Sequence, residues 1–311
     1  MTTCNRFILA GSVAAVIFTT APALFAQSAA ETLQQKVGLP QEVAPPTPPV
    51  TSTQDLGQVG IVQKFPKPEM FTLSTTQQYF HTDNVFYTQA APVSSSAYLG
   101  TYTASIVPYS FVNWTPRISL QYNMARYGNA AAGDFDNENM AFSSQYIFTK
   151  DRMWSWTSTV NLSRFTTVHG PSGVFYKEVV YDNQISHVMP IGKNNNLFFV
   201  AAYDLAYHQA SPSMFDRLDN TLSFSLAYYP CRSVCIGPYV RPGARIYTTD
   251  TAFQNGRDDF NISEGLDVTW QPCKYLAISA DISSQNDFSN TANVSYNVVS
   301  PGISATGTYK F

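Results

Sequence analysis

Leu197-Phe198-Phe199-Val200-Ala201-Ala202-Tyr203-Asp204-Leu205-Ala206-Tyr207-His208 is the stretch that decides the fold. Leu197, Phe199, Ala201, Tyr203, Leu205 and Tyr207 fall on one side of an extended chain. Val200, Ala202, Asp204, Ala206 and His208 fall on the other. A period of two with one greasy and one polar face marks a strand, not a helix.

The same pattern recurs outward in both directions. Ile118, Leu120, Tyr122 and Met124 alternate with Ser119, Gln121, Asn123 and Ala125. Leu222, Phe224, Leu226 and Tyr228 alternate with Thr221, Ser223, Ser225 and Ala227, and Leu276, Ile278, Ala280 and Ile282 with Ala277, Ser279, Asp281 and Ser283. Twelve such segments lie near 70–80, 98–110, 116–127, 138–149, 153–165, 177–189, 196–208, 217–229, 235–248, 259–270, 274–285 and 296–311. Most exceed the ~5–6 residues of ordinary strands and meet the ~9–11 needed to cross a bilayer at a tilt. The expected fold is all-β: a transmembrane antiparallel up-and-down barrel of about twelve strands, with ten and fourteen as alternatives.

The connections are expected to alternate. Short ones fall at 113–116, 150–152, 190–195, 230–234 and 271–273; longer ones at 81–97, 128–137, 166–176, 209–216, 249–258 and 286–295. Each short turn holds or borders a base: Arg117, Lys150 with Arg152, Lys193, Arg232 or Lys274. These bases are placed to meet lipid phosphates, though ordinary turn polarity accounts for them as well. Trp114, Trp154, Trp156, Tyr229 and Trp270 lie beside the same turns, where an interfacial girdle would sit.

Composition agrees with a barrel wall. Charged residues are 13%, about half the soluble norm of roughly 25%, while aromatics reach 14%. Net charge is −3, and no basic patch points to nucleic acid.

The N-terminal end reads as targeting and tether. Arg6 is the sole charge before residue 31, an apolar run spans 7–18, and small residues follow at Ala21, Ala23 and Ala26. This is a signal-peptide pattern over 1–26, and cleavage after Ala23 and after Ala26 both fit. The run is shorter than the roughly 20 residues of a spanning helix. Residues 27–69 carry Pro40 and Pro45-Pro46-Thr47-Pro48-Pro49 and too few apolar residues for a core. They are expected to be a periplasmic extension or a plug. The barrel domain is 70–311.

The chain ends Gly307-Thr308-Tyr309-Lys310-Phe311. A last strand closing on Phe, with an aromatic two residues before it, resembles the assembly signal of Gram-negative outer-membrane β-barrels, porin-like proteins among them. The glycine stands one position nearer the end than in the commonest form. The resemblance implies an outer-membrane location with both termini periplasmic, contact with outer-membrane lipid, and recognition by the barrel-assembly machinery through Tyr309 and Phe311. No narrower family is recognised, and the oligomeric state stays open.

Strand parity turns Arg117, Asp182, Asp204, Asp219, Arg241, Arg245, Asp267 and Asp281 to the polar, lumen-lining face. Arg241 or Arg245 is expected to pair with Asp219 or Asp267, because buried charges need partners. Such a set fits a charge-selective constriction and equally an internal salt-bridge network.

Catalysis is poorly supported. None of His81, His169, His187 and His208 is followed two residues on by Ser, the spacing that would put both on one strand face. No metal or cofactor motif is present. Cys231 and Cys235 flank a hairpin turn and are the preferred disulfide pair; Cys235 with Cys273 is second. The expected function is a passive channel for small polar solutes. The alternatives are a closed structural or attachment barrel, using loop aromatics such as Tyr87 and Tyr98, and a lipid-directed hydrolase.

Overall fold

The computed structural model describes Ala29 and residues 70–311, apart from 90–91, 110, 112, 149–152, 170–172, 193–195, 232, 250–254 and 293. The expected signal peptide, most of the Pro-rich extension, and the turn bases Lys150, Arg152, Lys193 and Arg232 lie outside the described residues.

The fold is all-β. Strands β1 (Phe71–Thr82), β2 (Ser95–Ile106), β3 (Trp114–Tyr127), β4 (Phe135–Ile147), β5 (Trp154–Thr167) and β6 (Val174–Pro190) form the first half. β7 (Leu197–Ser211), β8 (Arg217–Cys231), β9 (Val234–Tyr247), β10 (Asp258–Cys273), β11 (Leu276–Ser289) and β12 (Tyr296–Lys310) form the second. Each strand pairs antiparallel with its neighbours in sequence, and β12 pairs with β1, so twelve strands close into a barrel. Closure leaves no unpaired sheet edge, the condition for strands to stand in hydrocarbon.

Strands extend into segments expected to be loops. β2 starts at Ser95, β6 at Val174, and β7 reaches Ser211. The contrast between long and short connections is therefore weaker than the pattern of turn residues suggests. We call the end with connections 83–94, 128–134, 168–173, 212–216, 248–257 and 290–295 the loop end, and the opposite end the turn end.

Outward positions carry exposed apolar side chains along the whole wall: Leu73, Leu120, Leu162, Leu222, Leu266 and Ile303 are examples. A continuous belt of this kind is a surface for hydrocarbon, not water. Trp114, Trp154, Trp156 and Trp270 are exposed near the turn end, with Phe111 stacked on Trp114 at 5.4 Å. Tyr229 does not join them. Parity makes Tyr228 the outward residue, and Tyr229 turns inside to meet the buried Phe198 at 6.1 Å.

The core lies inside the barrel at the loop end. Phe80, Leu99, Tyr127, Phe135, Phe165 and Tyr176 form one buried cluster, joined by Val85 and Phe215 from the loops. Phe165 is its centre, 5.8 Å from Phe135 and 5.3 Å from Tyr176 between ring centroids. Ala29 is buried in the same cluster. Tyr87 is also buried, edge-on to Tyr296 at 5.2 Å, and Tyr98 stands in β2 with its hydroxyl donating to Gln77. Neither is an exposed loop aromatic, so that expectation is corrected.

Cys231, Cys235 and Cys273 are not joined in a disulfide. This differs from the expected Cys231–Cys235 pair. The β8–β9 hairpin sets Cys231 opposite Val234, and Cys235 instead falls opposite Thr269 of β10. The turn is tighter by one residue than symmetrical pairing of the two cysteines would need.

Candidate functional site

The barrel interior divides into two layers. The upper layer, at the loop end, is an ionic network on the wall of β6 to β11. Arg217 Nε donates to both Asp219 oxygens at 3.1 Å. His208 stands between Asp219 and Glu178, 3.2 Å from each, and the Tyr176 hydroxyl donates to Glu178 at 2.9 Å. Arg245 Nη1 donates to Asp287 at 3.2 Å. Arg257 grips Asp259 through Nε at 2.9 Å and Nη2 at 2.5 Å, and lies 4.3 Å above the Tyr247 ring. Burial opposes the Arg257 charge, but the Tyr247 phenol and Asp259 outweigh it and raise its pKa.

Four carboxylates thus face three guanidiniums and one imidazole. All but Glu178 are under a tenth exposed. Buried charges persist only when paired in this way. Of the eight residues picked by parity, Asp219 and Arg245 belong here. Arg245 was expected to pair with Asp219 or Asp267; Asp219 does face it across the β8–β9 ladder, and Asp287, which β11 delivers to the same level, accepts from its Nη1.

The lower layer is less neutralised. Asp267 and Asp281 are directly opposite each other on β10 and β11, and glycines flank the pair: Gly237 stands opposite Asp267 and Gly302 opposite Asp281. Thr269 donates to Asp267 at 2.7 Å and Gln78 to Asp281 at 3.2 Å. Like charges directly across a ladder destabilise it, so these two carboxylates hold a local negative field.

Asp182 and Asp204 are diagonal neighbours on one face, since Asp182 pairs with Ala206 and Asp204 with Gln184. Gln184 donates to Asp204 at 3.3 Å, while Asp182 Oδ1 is buried with no hydrogen-bond partner among the described residues. Arg241 makes no ion pair among the described residues; its guanidinium lies 4.8 Å over the Tyr239 ring. That ring rests on Gly265, where a Cβ would come within 2.7 Å of the Tyr239 hydroxyl. Gly265 therefore provides the space that lets Tyr239 and Arg241 lie flat along the wall. Arg117, the last of the eight, is exposed on β3 near the turn end.

Parity at the strand centres found Asp182, Asp204, Arg241, Asp267 and Asp281. It missed Glu178, Arg217, Asp259 and Asp287, which extend the same inward faces toward the loop end. Carrying the alternation to the strand ends would have reached them. Arg257 precedes β10 and had no periodic signal.

The histidines divide among structural contacts. His169 meets Asp134 at 2.8 Å, His187 stacks on Trp154 at 4.3 Å, and His208 is in the network. His81 Nε2 lies 3.0 Å from Ser94 Oγ across the β1–β2 hairpin, a serine–histidine contact between residues that share no single-strand spacing. The nearby Asp83 accepts the Val299 amide at 2.9 Å through Oδ1. No group of metal-ligating side chains occurs among the described residues.

No family model and no curated protein matches the sequence. Solved structures match the fold. An outer membrane channel from Pseudomonas putida F1 is 10% identical and aligns over 79% of this chain and 97% of that one, with a TM-score of 0.53. The β domain of the Bordetella autotransporter BrkA is 9% identical over 78% of this chain and 100% of its own, with a TM-score of 0.48. The KdgM porin in complex with disordered oligogalacturonate is 9% identical over 76% and 99%, with a TM-score of 0.44. At such identities the likeness is one of fold alone, and the outer membrane channel from Pseudomonas putida F1 carries it.

Proposed function

We propose that this chain is an outer-membrane barrel that passes small polar solutes by diffusion through an acid-rich lumen. Its turn end and both ends of the barrel domain face the periplasm in this reading. The apolar outer belt supports a membrane location. The opposed Asp267 and Asp281, with bare glycines on either side, carry the reading of the lumen. Four carboxylates in the lower layer against Arg241 favour cations and hydroxyl-rich solutes over anions.

Purified barrel in planar bilayers tests this. The expected result is conductance with a reversal potential shifted toward cation preference. Neutralising Asp267 and Asp281 to Asn reduces that preference, and Arg241→Gln increases it. A folded barrel without conductance overturns the channel.

A closed structural barrel is the second reading. The packed aromatic cluster at the loop end favours it, as does the burial of Ala29 there, which fits an N-terminal extension that enters the barrel. The same recording separates the two, and conductance that rises when residues 27–69 are deleted joins them.

A further inference from the structure

The outer wall of β1 to β6 carries two rows of side chains that cross the strands. In the first, Leu73 stands opposite Ala104, Ala104 opposite Leu120, Leu120 opposite Met140 and Met140 opposite Leu162. In the second, Tyr122 stands opposite Glu138, Glu138 opposite Arg164 and Arg164 opposite Lys177. A groove of 730 Å³ is lined by the whole first row and by Tyr122, Glu138 and Arg164 of the second; Lys177 stands opposite Arg164, beyond the lining. Strands in a closed barrel tilt, so a row across them climbs. The groove starts at Leu73, near the turn end of β1, and finishes at Leu162 and Arg164, nearer the loop end of β5, with Lys177 of β6 next in the second row. Four strand spacings make the apolar row about 19 Å long, the length of a long acyl chain.

We propose that this groove binds one chain of a phosphorylated lipid from the loop-side leaflet, with its phosphate between Arg164 and Lys177. Two cations directly opposite each other on one face repel, and an anion between them removes the conflict. Lys177 is exposed and makes no ion pair among the described residues. Arg164 lies 3.7 Å from Glu138, too far for a hydrogen bond, so its donors remain available. A guanidinium beside an ammonium matches phosphate in both charge and donor geometry. Arg126, on the same outer face, is already committed: its Nη2 donates to Asp136 at 2.6 Å. The charged end and the apolar end of the groove are therefore arranged as a phospholipid or phosphorylated glycolipid is.

The test uses the full mature chain in phosphatidylcholine nanodiscs doped with lipid A or with its dephosphorylated form. Lipid retained after detergent extraction is counted by native mass spectrometry. The expected result is retention of lipid A over the dephosphorylated form by about tenfold or more, lost in Arg164→Gln/Lys177→Gln. Ala104→Trp, which fills the apolar floor and leaves the cations in place, also loses it. Equal retention of both lipids, or undiminished retention by the folded double variant, overturns the site. So does a dimer of this chain that occupies the groove and excludes lipid. If the double variant does not fold, Ala104→Trp decides. The result is independent of conductance, because a closed barrel in a bilayer presents the same outer wall.

Discussion

Phe311 stacks on Phe71 with ring centroids 5.4 Å apart, and the two residues exchange both backbone hydrogen bonds, at 2.9 and 3.0 Å. The last residue of the chain is thus the first rung of the seam that closes the barrel, and the register continues from Thr72 with Lys310 to Phe80 with Gly302. Deleting Phe311 removes two backbone bonds and a ring pair. The expected loss is about 1–3 kcal/mol, with slower assembly, seen as less heat-modifiable barrel on refolding into vesicles. Phe311→Ala keeps the backbone bonds and should lose about 1 kcal/mol.

Phe165 is 1% exposed and touches three other rings of the inner cluster. Phe165→Ala should cost about 3–5 kcal/mol in urea unfolding from lipid, because it removes a buried ring and leaves a cavity inside the barrel. Leu162→Ala, one turn of the alternation away on the outer wall, should cost far less, since lipid fills the space.

Arg217→Met leaves Asp219 and Glu178 with one fewer cation in a buried site. The expected cost is about 3–5 kcal/mol, and Arg217→Met/Asp219→Leu should recover much of it. Denaturant midpoints for the single and double variants measure the difference.

Gly265→Ala places a methyl 2.5 Å from the Ile282 carbonyl oxygen and 2.7 Å from the Tyr239 hydroxyl. The ring must lift from the wall and carry Arg241 toward the lumen axis. Lower single-channel conductance and weaker cation preference are expected, with a stability loss of about 1–3 kcal/mol.

Ser94 and His81 invite a test for hydrolysis. A serine–histidine pair needs a third group to orient the ring, and Asp83 is committed to Val299. Phospholipid turnover by the refolded barrel should equal that of Ser94→Ala. Turnover abolished by that substitution would reassign the protein as a lipid hydrolase.

The strands were legible because side-chain period equals backbone period: Leu197 to His208 alternates in sequence and is β7 in the structure. Parity also told which face of each strand is greasy, and so placed Asp204, Arg241, Asp267 and Asp281 inside. Two kinds of residue escaped. Glu178 and Arg217 stand at the very start of the expected segments 177–189 and 217–229, and Asp287 lies two residues past the end of 274–285, so attention to the strand centres passed over all three. Cys235 depends on hairpin register, which the identity of the turn residues does not fix, whereas the inward side of Tyr229 follows from the alternation that ends on Tyr228.

By itself, the sequence determined the all-β class and the inward and outward faces, because these follow from local alternation along one chain, and it held the strand number to about twelve; closure of β12 on β1 made it twelve. Which charge meets which was decided only by the tertiary structure. Arg245 finds Asp287 from 42 positions away, Asp267 finds Asp281 through the register of two strands, and Arg164 meets Lys177 across another. Register and tilt are properties of the closed sheet, and no single strand contains them.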